Sequence, residues 1–166
     1  MKKLFLLFCI ILISCCCVFA EYKPIPKHLT SQYKQEVEQI INNEYPKVIH
    51  RIDGYVEEAK TYRDKIKKGN CISQQYANMI LISEISIYGA DIEMYREILN
   101  VSEEKYLHKK HAISPSSDAY FLAKALSPYF KQCNISNDKL LKIEHYMKKK
   151  VKVVEKYIEE IEIYCK

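Results

Sequence analysis

Glu104, His108 and His111 stand at i, i+4 and i+7. On a helix that spacing gathers one carboxylate and two imidazoles on a single face, a ligand set that zinc or a similar divalent ion accepts. The trio is therefore the candidate metal site. Against it, Lys105, Lys109 and Lys110 crowd the same stretch, no carboxylate can be named to orient the imidazoles from behind, and a polar surface helix accounts for the pattern more simply. Other chemistry is not written in the chain. The paired Glu-x-x-His motifs of a diiron bundle are absent, and serine, histidine and aspartate occur without a glycine elbow. The chain reads as a non-enzymatic binding or interaction module with no catalytic residue and no cofactor, the metal-binding protein being the alternative.

Tyrosine is the second unusual feature, with 14 copies and no tryptophan. Tyr146, Tyr157 and Tyr164 fall on one side of the last helical stretch, and the pairs Tyr55/Tyr62 and Tyr88/Tyr95 are each seven residues apart. Tyrosine supplies contact area at little cost in rotamer freedom, which suits a protein or glycan partner. Its plainer role is packing at the core boundary with the hydroxyl in water.

Helices have to position these groups. Only three glycines occur, and apolar residues recur at intervals of three and four through long stretches. The first stretch runs from about Thr30 to Lys67. Pro46 within it predicts a kink or a split into two helices, and Gly69 a left-handed stop. The second, from Ser73 to about Leu99, carries a broad stripe including Tyr76, Met79, Ile92 and Tyr95. Gly89 and Ala90 at its middle either admit a neighbouring helix or weaken the element. Asn100 and Glu103 read as the N-cap and reciprocal acid of a short helix reaching about His111. Ser114-Pro115 reads as the start of a third main helix, with Ala119, Leu122, Ala123 and Leu126 on its apolar face and Pro128 kinking or ending it.

From Asp138 onward, Leu140, Ile143, Met147, Val151, Val154, Ile158, Ile161 and Cys165 form a narrow seam. It is expected to be buried in the chain's own bundle, a parallel coiled-coil dimer being the alternative. Short loops favour antiparallel neighbours, so residues 30–166 are expected to fold as one all-α, up-and-down bundle of four main helices, with the short helix after Asn100 in addition. In that topology Cys71 and Cys133 share one end and are predicted to form a disulfide. Cys165 then lies at the other end, as a buried thiol or an intermolecular partner.

Address comes from residues 1–20. Lys2 and Lys3 precede an apolar run from Leu4 to Ile13, too short to span a bilayer and typical of an export signal. Cleavage after Ala20 would leave about 146 residues, enough for a single core, opening on an extended segment, residues 21–29, with Pro24 and Pro26. Leu12-Ile13-Ser14-Cys15 resembles the lipobox of bacterial lipoproteins, which implies acylation at Cys15. The chain is therefore expected to be secreted or periplasmic, or alternatively an envelope lipoprotein, with a membrane partner only if Cys15 is lipidated. The formal charge of +5 is small and mixed, which argues against nucleic acid. The Lys148-Lys149-Lys150-Val151-Lys152 run reads as a solvated helix face. Asn100 and Asn134 match glycosylation acceptors.

Overall fold

The structure is a computed structural model, and it describes residues 22–69, 71–107 and 117–165. The described residues are helical and include no strand. Helix α1 is Thr30–Lys67, followed by α2 Ser73–Leu81, α3 Ile92–Val101, α4 Ala119–Gln132 and α5 Asp138–Ile161. Residues 1–20, where the export signal, the acylation at Cys15 and the cleavage after Ala20 are expected, lie outside the described residues, as do His108, His111 and Ser114-Pro115.

Helix α1 is one rod of 38 residues and is not split at Pro46. Burial decides this. The stripe Tyr33, Val37, Ile41, Val48, Ile52, Val56, Ala59 and Ile66 continues on both sides of the proline, and bending the rod would lift half of it off the core. Pro46 and Asn42 both face solvent, so the carbonyl that the missing N–H leaves unbonded is open to water. The expected stop is present: Gly69, at φ 90°, donates its N–H to the Ile66 carbonyl at 3.0 Å.

The second stretch is not one regular helix. Between α2 and α3 the chain runs through a π-helical turn, Ile82–Ser86, and an irregular turn containing Gly89. A second π-turn, Ser102–Tyr106, follows α3 without a break. Asn100 therefore lies inside a helix rather than capping a new one. Serine hydroxyls sit at these irregularities: Ser83 donates to the Ile80 carbonyl at 2.9 Å and Ser102 to that of Ile98 at 2.6 Å. Such back-bonding competes with the regular ladder and bends helices. At Gly89 the local weakening is what materialises, while the neighbouring rod meets Ala90, whose carbonyl accepts from Arg51 Nε at 3.0 Å.

Helix α4 starts later than predicted, with the Asp118 carboxylate accepting from the Phe121 N–H at 3.0 Å. It continues through Pro128 to Gln132. Its end is a left-handed cap in which Asn134, at φ 51°, lets Ile135 donate to the Phe130 carbonyl at 2.9 Å.

Register fixes the directions. Contacts of Tyr33 with Ser102, Arg51 with Ala90 and Tyr62 with Asn78 make α1 antiparallel to the α2–α3 rod. Contacts of Asn42 with Lys139, Asp53 with Tyr146 and Lys67 with Glu160 make α5 parallel to α1. Strict up-and-down alternation would oppose them. The cause lies before α4. Tyr106 reaches Glu36 near the start of α1, and Gln132 holds the backbone of Ile25 just ahead of it. Both the second rod and α4 thus end at the same end of the molecule and run in the same direction, so the alternation is lost.

The cysteine pairing changes with it. Cys71 is bonded to Cys165, not to Cys133. Parallel to α1, α5 delivers Cys165 to the turn after α1, where Cys71 sits, with the two Cα atoms 5.7 Å apart. Cys133 is a buried free thiol at the C-cap of α4, and burial pushes that thiol up from its ordinary value.

Candidate functional site

The Glu104, His108, His111 trio needs a regular helix through all three. Glu104 is exposed on the Ser102–Tyr106 π-turn, and Leu107, at φ −111° and ψ 103°, is already extended. The helix that would align Glu104 with the histidines therefore ends before His108. Among the described residues no cluster of three His, Cys, Asp or Glu side chains is placed to hold a metal ion. Asn100 and Asn134 are both exposed.

The tyrosines divide rather than form one platform. Tyr146 donates to Asp53 at 2.8 Å, Tyr157 lies beneath the Arg63 guanidinium with 4.2 Å to the ring centroid, and Tyr62 donates to Glu58 at 2.7 Å. All three rings pack against the core from its boundary, and in Tyr146 and Tyr62 the hydroxyl is tethered on the outside. The lysine run on α5 is partly tied down: Lys148 pairs with Glu144 at 2.5 Å and Lys150 with Asp53 at 2.6 Å.

A cleft of about 780 Å³ opens where the end of the first π-turn, α3, α4 and α5 diverge. Its walls follow from the helix stripes. On α4, Leu122, Leu126, Tyr129 and Phe130 turn into the core, leaving Tyr120 outward and Ala119, Ala123 and Ser127 facing the cleft. On α5 the seam leaves Leu141 outside it. Ile85, Tyr120 and Leu141, each lining the cleft, are 61%, 68% and 59% exposed.

Asp91 is the buried polar group of this cleft, 5% exposed. It occupies a core position: Ile87, Asp91, Met94 and Ile98 stand at successive intervals of four, three and four, and the other three are fully buried. Its Oδ1 has no hydrogen-bond partner. Burial pushes the carboxyl up to about 6; its own backbone N–H and Arg51 pull it down, and Glu144 pushes it further up. Arg51 does not neutralise it directly, since its Nε bonds the Ala90 carbonyl and its Nη2 is itself buried without a partner. Tyr95, also lining the cleft, is raised first by burial and then by Asp91 and Glu144.

This arrangement can accept a cation. An ionised carboxylate held out of water gains most from a positively charged donor brought to it, and the apolar walls would cover whatever carries that charge. Reading the sequence for nucleophiles and ligand spacings missed it. The available signal was an acid in register with an apolar stripe beside Gly89-Ala90, together with the doublets Tyr120-Phe121 and Leu140-Leu141, of which one helical stripe can bury only part. No family model, curated protein or solved structure matches the chain.

Proposed function

We propose that the protein is an exported, non-enzymatic interaction module that takes a partner protein into the cleft between α3, α4 and α5. The observation that carries this is Asp91, a buried carboxylate with an unpartnered oxygen in a cleft rimmed by exposed apolar side chains. A bare acid inside and bare apolar surface outside both cost stability, and one occupant relieves both. Export rests on residues 1–20, and the Cys71–Cys165 bond accords with an oxidising compartment. Among the described residues no helix is long and apolar enough to cross a membrane. The supporting scaffold is taken as a bundle of four main helices, with α2 and α3 counted as one interrupted rod.

The test is site-specific photo-crosslinking in the host, with a benzoylphenylalanine replacing Tyr120 in the cleft and, as control, Glu57, exposed on α1. A discrete adduct to one protein from position 120 and none from position 57 is the expected result. Identical adduct patterns from both positions, or none from either, would refute the module.

A further inference from the structure

The cleft continues into a second hollow of about 390 Å³, with which it shares Glu84 and Tyr88, and which reaches Val151, Glu155 and Glu159. Together the two follow α5 from Asn137 to Glu159, roughly 33 Å at about 1.5 Å per residue. That length suits about ten residues of extended chain better than a compact small molecule. The charge of this groove opposes that of the protein. The chain carries +5, or +3 without Lys2 and Lys3 of the export segment, yet Glu84, Asp91, Asp118, Glu144, Glu155 and Glu159 border the groove against Lys148, already paired with Glu144. Of these acids, all but Glu144 lack an ion pair among the described residues.

We infer that the occupant is a segment of a partner polypeptide in which lysine or arginine alternates with apolar residues, one cationic group drawn to the Asp91 carboxylate at the cleft wall and its apolar neighbours covering Tyr120 and Leu141. This rests on the cleft being the interaction site. Charge complementarity selects the basic segment: a neutral peptide would seal Asp91 off with its oxygen still unpartnered, and an acidic one would add like-charge repulsion along the whole groove. Apolar neighbours are required because the exposed rim is aliphatic and aromatic rather than hydrogen-bonding.

The test is fluorescence anisotropy on the full protein with its disulfide intact. The probes are a labelled peptide of about ten residues alternating lysine and leucine, and the same peptide with glutamine for lysine. The lysine peptide should bind at least roughly tenfold more tightly, and Asp91→Asn and Leu141→Ser should each weaken it roughly tenfold. Glu84→Gln combined with Glu155→Gln, both exposed and harmless to folding, should weaken it about threefold and flatten its salt dependence. Equal binding of the two peptides, lost in Leu141→Ser, overturns the basic segment while leaving the cleft as the interaction site. Binding of neither peptide, with crosslinking from position 120 retained, does the same. Binding of neither without crosslinking overturns both. Lysine-peptide binding that survives Asp91→Asn and Leu141→Ser but is competed by spermine is diffuse charge attraction, and overturns the inference.

Discussion

At the residue scale, Asp91 ties the stability of the protein to pH. Arg51 faces it from α1, Glu144 from α5 and Tyr95 from its own helix, and burial outweighs them all in holding the carboxyl at about 6 against an ordinary 3.8. A raised carboxyl binds its proton more tightly in the folded chain than in the unfolded one. Its contribution to stability is therefore greatest below about pH 4, and is lost as pH rises through about 6. Asp91→Asn should flatten that slope and raise stability at neutral pH by on the order of 2 kcal/mol. Urea unfolding at a series of pH values between 4 and 7 checks it, and an unchanged slope would sink the assignment. Cys133 gives a second outcome at this scale. Buried and reduced, it should be alkylated only after unfolding, as peptide mass mapping would show. Sequence alone placed Cys133 correctly at the end of a helix but could not show which way its side chain faces. The left-handed cap at Asn134 settles that.

At the element scale, periodicity was a good guide to faces and a poor one to continuity. The seam of α5 was legible almost residue by residue, because Ile143, Met147, Val151, Val154 and Ile161 have no other surface to bury against. The interruption of the second rod was legible only as the weak point at Gly89, since π-turns keep the apolar stripe while changing the ladder beneath it. At Pro46 the split that the local signal allowed is overruled by the stripe around it, which keeps one helix. That ruling has a measurable cost. Pro46 is exposed, and alanine in its place would supply the N–H that the Asn42 carbonyl lacks. Interior proline costs roughly 3 kcal/mol in a helix, of which about 1 kcal/mol is returned by its stiffening of the unfolded chain. Pro46→Ala should therefore stabilise by about 2 kcal/mol in urea titration. A loss of stability would mean that the helix bends there and uses the bend.

At the scale of the whole molecule, what the sequence hid was the path of the chain. Two antiparallel assumptions in a row, each reasonable for a short loop, put Cys165 at the wrong end because α4 runs the same way as the second rod instead of opposing it. Stability alone would not reveal the mistake. Closing 94 residues through Cys71 and Cys165 and closing the shorter Cys71–Cys133 loop both come to between roughly 4 and 5 kcal/mol in the chain-entropy model. The difference lies in what is tied. The native bond clamps the 3-10 turn that follows α5, Glu162–Tyr164, to the turn after α1, reinforced by Lys67 and Glu160 at 2.6 Å. Replacing Cys71 and Cys165 by serine should therefore loosen that end first, with fast amide exchange confined to the last turns of α5. The Asp91 half of the groove lies toward the opposite end of α5, where Ile143 and Met147 are buried independently of the bond, and only its far end at Glu155 and Glu159 approaches the clamp. Peptide binding should thus survive the double substitution at temperatures where the protein stays folded, whereas overall stability falls by about 4 kcal/mol. Loss of binding and of stability together would show that the bond shapes the groove as well as fastening the chain.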